Sequence, residues 1–235
     1  MAIVRAARLV ASLSAVLLLA ACAGNALAPE PQAGVSLAGN WKLDTASSDD
    51  PQKVLAQMRA DAVRLMSRRQ AAPAPRPGTR GGTARGQQAE QPAEEEPVAA
   101  APGGQRPDPL LRSPMAHVIL ASLARGDFLT VRQSPTEIVL DYGTSQRSFT
   151  PGTHSVVSAE GGVGDQICGW KGREYVIEIK AQLGPDVTER YGLSADGRRL
   201  IEKLHIAAAE LPAVNLTRVY NPTKESAPRQ LPTSD

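Results

Sequence analysis

EYVIEIKAQLGPDVTERYGLSADGRRLIEKLHI, residues Glu174–Ile206, reads as three β-strands joined by two turns. In the first, Tyr175, Ile177 and Ile179 fall on one face and Glu174, Glu178 and Lys180 on the other. That two-residue period marks a strand lying over a core. Gly184-Pro185-Asp186 breaks the run, and Val187–Leu193 follows. Ala195-Asp196-Gly197 carries the Asp-Gly hairpin signal. Leu200–Ile206 then returns with Leu200, Leu204 and Ile206 on one face.

Outward from this segment the pattern repeats about every ten residues. Phe128–Gln133, Glu137–Tyr142, Gln146–Thr150, His154–Ser158 and Gln166–Trp170 precede it, and Val214–Tyr220 follows. Leu37–Asp44, with Leu37, Gly39, Trp41 and Leu43 on one face, adds a first strand far upstream. All eight aromatic residues of the chain lie in these strands, where they supply a core or a ligand cavity. Short strands in hairpin order predict a mainly β fold, an antiparallel meander that forms a barrel or a strongly curved sheet. Gly161-Gly162-Val163-Gly164 sits between two strands and lacks Gly-Lys-Ser/Thr, so it reads as a plain loop rather than a phosphate cradle.

Between the first strand and Phe128 the character changes. Asp49-Asp50-Pro51 is a helix start, with an aspartate cap and proline at the first helical position. Val54, Leu55, Met58, Ala62, Leu65 and Met66 make one apolar stripe, and Arg68 and Arg69 complement the dipole at its end. One amphipathic helix is therefore expected, covering an end or edge of the β domain. Residues 71–109 are rich in Pro, Gly, Ala, Gln and charge. They cannot bury enough apolar surface to offset their ordering entropy and read as a disordered insertion. Residues 110–124 fit a short helix after Pro114 or a strand over Ala116–Leu120.

The N-terminus is of another kind. Arg5 and Arg8 lead into an uncharged run, Leu9–Ala21, too short to span a bilayer. A basic flank, an apolar middle and a small-residue end make a secretory signal peptide. Its close, Leu19-Ala20-Ala21-Cys22, resembles the lipobox of bacterial lipoproteins. The resemblance implies cleavage between Ala21 and Cys22, a diacylglyceryl thioether and an N-acyl (palmitate-type) chain on Cys22, and stable anchoring to the lipid bilayer. Ala23 in place of aspartate implies the outer membrane, facing the periplasm. Removing residues 1–21 takes two arginines and no acid, so the formal charge falls from +2 to zero. No charge argument for nucleic acid survives. Cys22 and Cys168 are the only cysteines. With Cys22 acylated a disulfide framework is excluded, and the fold depends on its core. The expected organisation is a signal peptide (1–21), a lipidated tether (22–34), first strand plus helix (35–70), the insertion (71–109), the meander domain (110–220) and a flexible tail (221–235).

Gly39-Asn40-Trp41 resembles the Gly-x-Trp element on the first strand of lipocalins. There the tryptophan closes the barrel base against a basic residue near the last strand. Arg218 is the matching residue here, so Trp41 and Arg218 form a candidate barrel-closing pair. Gly39, Trp41, Leu43 and Asp44 also resemble the start of uncharacterised bacterial envelope proteins, which carry no activity to transfer.

Catalytic signals are sparse. His117, His154 and His205 are scattered and do not read as a metal site. No Gly-x-Ser-x-Gly elbow is present. Strict alternation puts Glu189 and Glu202 on the apolar faces of neighbouring strands, where two carboxylates could do acid–base work. The other readings are a register shifted by one or carboxylates at the wet end of a barrel. No catalytic residue, metal or cofactor is assigned. The expected function is that of a tethered, non-enzymatic lipoprotein whose β domain meets an envelope protein or carries a small apolar ligand; the alternative, resting on Glu189 and Glu202 alone, is a hydrolase acting on envelope material.

Overall fold

The computed structural model describes residues 26–71, 108–225 and 228. Ten strands form one sheet: β1 (Gly39–Leu43), β2 (Phe128–Gln133), β3 (Ile138–Asp141), β4 (Gln146–Phe149), β5 (His154–Ala159), β6 (Gly162–Lys171), β7 (Glu174–Ala181), β8 (Asp186–Leu193), β9 (Leu200–Ala207) and β10 (Val214–Pro222). The order is β4-β3-β2-β1-β10-β9-β8-β7-β6-β5, antiparallel throughout. β1 lies in the middle, with Trp41 between Leu129 of β2 and Pro222 of β10. Tyr142, just past β3, and Tyr191 of β8 stand five strands apart in this order, about 24 Å in a flat sheet. Their hydroxyls meet at 2.9 Å. The sheet is therefore strongly curled into a half-barrel, with β4 and β5 at its edges and no ladder between them among the described residues.

Antiparallel alternation sorts the connections between two ends. The β3–β4, β5–β6, β7–β8 and β9–β10 turns share one end with the helical segment that joins β1 to β2. The β2–β3, β4–β5, β6–β7 and β8–β9 turns, the start of β1 and the finish of β10 share the other.

The helical end holds two helices, α1 (Pro51–Ala71) and α2 (Pro114–Leu123), and a short 3-10 turn (Pro109–Arg112). The sequence reading expected one amphipathic helix. The second comes from the ambiguous segment: the Ser113 hydroxyl accepts from the Ala116 N–H, Pro114 opens the helix, and Met115, Ile119 and Ser122 recur on one buried side. α1 starts as expected, with Asp50 accepting from Gln52 N–H at 2.9 Å. Leu55, Met58 and Ala62 of α1 pack with Leu110, Met115 and Ile119 over Val187, Leu204, Ile206 and Leu216 of the sheet. Each fully buried aliphatic side chain contributes about 1.5–3 kcal/mol, so the helices are a stable cover. A second cluster fills the rest of the interior, with Leu37, Trp41, Leu129, Ile138, Leu140, Phe149, Trp170, Tyr175 and Ile177 among its members.

Three boundaries need correction. The tether read over 22–34 is docked from Ala28 onward. Ala28 exchanges two backbone hydrogen bonds with Trp170, at 2.8 and 2.7 Å, and Val35 and Leu37 are buried. The Gly161–Gly164 loop is mostly strand, since β6 begins at Gly162 and pairs Gly164 with both Val157 and Ala181. The site is tight for a side chain: a Cβ on Gly164 would stand 3.0 Å from the Ile179 side chain. The sheet runs past the boundary read at 221, because Asn221 and Pro222 still pair with Lys42 and Trp41. The signal peptide, Ala21, Cys22 and nearly all of the 71–109 insertion lie outside the described residues.

Candidate functional site

The curl of the sheet brings a polar cluster into the interior. Alternation sends Glu189 and Tyr191 of β8, Glu202 of β9, and Arg218 and Tyr220 of β10 inward beside apolar neighbours. From across the half-barrel come Tyr142, after β3, and Arg147, on edge strand β4. Arg125 descends from the end of α2. Glu189, Glu202 and Arg218 are each at least 95 % buried.

Glu189 is held on both oxygens. Arg147 Nη1 donates to Oε2 at 2.6 Å and Arg125 Nη2 to Oε1 at 2.9 Å. The Tyr142 and Tyr191 hydroxyls touch, and Tyr191 OH lies 2.8 Å from Glu189 Oε2 and 3.2 Å from Glu202 Oε1. A phenol has one proton to give, so Tyr191 serves one carboxylate at a time and accepts from Tyr142. Glu202 receives Tyr220 OH at 2.8 Å and Arg125 Nη1 at 3.4 Å. The guanidinium groups also lie over rings: Arg125 over Tyr142 at 5.3 Å, Arg147 over Phe149 at 4.9 Å and Arg218 over Tyr220 at 5.4 Å.

These surroundings set the protonation states. Burial alone would raise the Glu189 carboxyl, but Arg147 and Arg125 outweigh it and hold the group well below the usual carboxylate range. Burial, and then the glutamates, push the hydroxyls of Tyr142, Tyr191 and Tyr220 up, so they stay protonated. Burial works against the charge of Arg125 and Arg147, yet Glu189 more than restores it. The site is thus a set of fixed charges and donors. Glu189 and Glu202 come together, as their parity implied, but every oxygen is occupied by a cation or a phenol. A general acid must hold a proton near neutral pH, and Glu189 does not.

The two members of the candidate barrel-closing pair are placed apart. Both are buried on the concave face, but Trp41 opposes Pro222 and Arg218 opposes Glu202. Four residues of β10, about 13 Å, separate Arg218 from Pro222. Trp41 donates its indole N–H to Leu37 O at 3.1 Å. Arg218 donates to Ser122 O at 3.2 Å and Gly126 O at 2.6 Å, binding the end of α2 and the turn that follows it to the sheet. Among the histidines, His117 meets Glu160 at 2.8 Å and His205 meets Asn215 at 2.8 Å, both exposed. Among the described residues no group of three or more His, Cys, Asp or Glu could hold a metal ion. Cys168 is buried, its thiol directed at Thr150 O.

Sequence reasoning missed Arg125, Arg147 and Tyr142. Arg147 and Phe149 share a face by the same alternation that placed Glu189, so that signal was present. Arg125 follows a helix end, where no period applies.

No family model and no curated relative matches the chain. Solved structures similar in shape include lipid binding protein 8 of Caenorhabditis elegans, at 9% identity, covering 81% of this chain and 100% of that one, with a TM-score of 0.43. A protein described as the REP1-NXSQ fatty acid transporter matches at 13% identity over 81% and 98%, with a TM-score of 0.41. Zebrafish ileal bile acid-binding protein complexed with cholic acid matches at 16% identity over 46% and 80%, with a TM-score of 0.33. At these values no residue role passes from those proteins to this chain.

Proposed function

We propose that this chain is a lipoprotein anchored through acylated Cys22 to the periplasmic face of the outer membrane, and that its β domain binds a small amphiphile without chemistry. The observation that carries the binding half is the charge of the interior. Arg125, Arg147 and Arg218 face Glu189 and Glu202, leaving one positive charge in excess. An uncompensated buried charge is costly, and a singly anionic headgroup is its natural complement. Val131, Leu140 and Ile177, in the buried apolar cluster that fills the rest of the interior, are the residues among which a tail would have to be accommodated. Arg125 and Arg147 keep 17% and 23% of their side chains exposed, so solvent reaches the cluster through them.

Titration with dansyl-undecanoate and with its uncharged amide tests this reading. Saturable binding of the acid is expected, with the amide weaker. Arg147→Met is expected to weaken the acid about tenfold, the equivalent of ~1.4 kcal/mol, with an unchanged circular dichroism spectrum. Equal affinity for acid and amide, or no saturable binding of either, overturns the headgroup assignment. For the anchor, Cys22→Ser is expected to release the protein from membranes; retained membrane association overturns it.

A further inference from the structure

We infer that the end of the half-barrel carrying the β6–β7 and β8–β9 turns lies against an anionic bilayer surface, with the helical end turned away. The inference rests on the acylation of Cys22 proposed above.

The first argument is the length and attachment of the leash. Ala28 is fixed to Trp170, one residue before the β6–β7 turn. The attachment is close: a Cβ on Gly169 would fall 2.8 Å from Ala28 O and 2.9 Å from the Leu27 Cβ, and one on Gly152 3.1 Å from the Pro29 Cβ. The strap continues across the same end, where Leu37 N–H donates to the Gln133 side chain at 2.8 Å. Six residues lead from Cys22 to Ala28. Fully extended they span at most about 20 Å. The helical end lies the length of β6 farther on, about 33 Å for its ten residues. A chain rooted in the bilayer at Cys22 can bring the turn end to the membrane surface, and cannot bring the helical end there without first laying the barrel across it.

The second argument is charge. Lys171 and Arg173 flank the β6–β7 turn, Arg198 and Arg199 form the β8–β9 turn, and Lys224 follows β10. None of these five makes an ion pair within the described residues. The acids at this end are also five, and most of them are engaged. Glu174 pairs with Arg190 and Lys203, Glu225 with Lys42, and Glu137 with the Ser148 hydroxyl. Asp196 accepts from Ser194 and from Arg198 N–H and offsets part of the arginine charge beside it; Glu30 lies on the strap. A groove of about 490 Å³ lined by Trp41, Arg198, Arg199 and Asn221 opens at the same end. Unpaired cations on the face nearest the acyl anchor are the complement of anionic phospholipid headgroups.

The test uses the acylated full chain in vesicles of phosphatidylglycerol and phosphatidylethanolamine, and in vesicles of phosphatidylcholine alone. Amide hydrogen exchange is read over the 171–173 and 196–199 turns and over the 182–185 and 208–213 turns of the helical end. Severalfold slower exchange at the first pair on the anionic vesicles, with the second pair unchanged, is expected. Reversing the four turn charges (K171E, R173E, R198E, R199E) is expected to remove that protection without changing the melting temperature. Protection at the helical end, equal exchange at both ends, or protection that is the same on neutral vesicles overturns the inference while the anchor stands. A mature N-terminus whose mass lacks acyl chains overturns the anchor and the inference together.

Discussion

Arg147 of β4 and Glu189 of β8 meet at 2.6 Å although five strands lie between theirs in the sheet. Laid flat, the six spacings would put them about 29 Å apart. The ion pair is thus a measure of the curl, and it ties the edge of the sheet to its far half. It also joins a partly exposed arginine to a buried carboxylate, with Arg125 closing the other oxygen.

Glu189→Gln is therefore expected to be costly. The amide cannot neutralise Arg147 and Arg125, and breaking a buried pair costs about 3–5 kcal/mol. The acid dependence has a definite sign. The folded-state pKa of Glu189 is depressed, so its contribution is complete above the ordinary carboxylate range near ~4.3. It is lost progressively as pH falls below that range toward the folded value. Chemical denaturation between neutral and acidic pH is expected to show stability falling as pH drops in the wild type, and a shallower fall in the glutamine variant. An equal slope in both would assign the acid limb to other carboxylates.

Two buried tyrosines separate hydrogen bonding from burial. Tyr220 is fully buried and gives its proton to Glu202 at 2.8 Å. Tyr175 is equally buried, yet its hydroxyl has no hydrogen-bond partner among the described residues. Its polar neighbour is the Cys168 thiol, a weak group already directed at Thr150 O. Tyr220→Phe leaves a carboxylate short of a donor and is expected to cost about 1–3 kcal/mol. Tyr175→Phe removes an unsatisfied group and is expected to be neutral or stabilising. Urea denaturation of the two variants checks the contrast.

What could be read in advance follows from where a period exists. Two-residue alternation over Glu174–Ile206 placed Tyr175, Glu189, Tyr191, Glu202 and Leu204 on the inner face, and the structure buries all five. The same rule covers Arg147, but an arginine beside a phenylalanine on a short edge strand gives a weak signal. Arg125 sits at a helix end and is aimed by tertiary packing alone. The docking of Ala28 onto Trp170 uses only backbone groups of a proline-containing segment, so no side-chain pattern announces it. Gly162 and Gly164 read as loop because glycine is a poor strand former. At Gly164 Ile179 and Ala159 come to 3.0 and 3.2 Å from an added Cβ, so the strand packs closely around the missing side chain.

Gly169→Ala tests the strap directly. The added methyl would meet Ala28 O, Leu27 and Gly152 N, all within 3.1 Å, and two of these contacts are backbone. The strap is expected to move away from Trp170, at the cost of the paired Ala28 hydrogen bonds. Limited proteolysis is expected to cut the 26–34 segment faster in the variant, while Glu189 and its partners, remote from this end, keep their geometry. Unchanged cleavage would mean that the strap shifts without detaching.

His117 and Glu160 form the one His–carboxylate ion pair among the described residues, joining α2 to the β5–β6 turn at the helical end. The hydrogen bond to Glu160, and then the one to Leu111 O, raise the imidazole pKa above its ordinary value. A group whose folded pKa is raised stabilises the fold fully below its unfolded value, near ~6.5, and loses that contribution as pH rises through the folded one. The helical cover is therefore held more firmly at mildly acidic than at alkaline pH. Proton NMR titration of His117 is expected to show a midpoint above ~6.5, moving down in Glu160→Gln. Because both side chains are exposed, salt is expected to bring the wild-type midpoint toward that of the variant. A midpoint that neither Glu160→Gln nor salt displaces would show that Leu111 O, not the carboxylate, sets the protonation of this histidine.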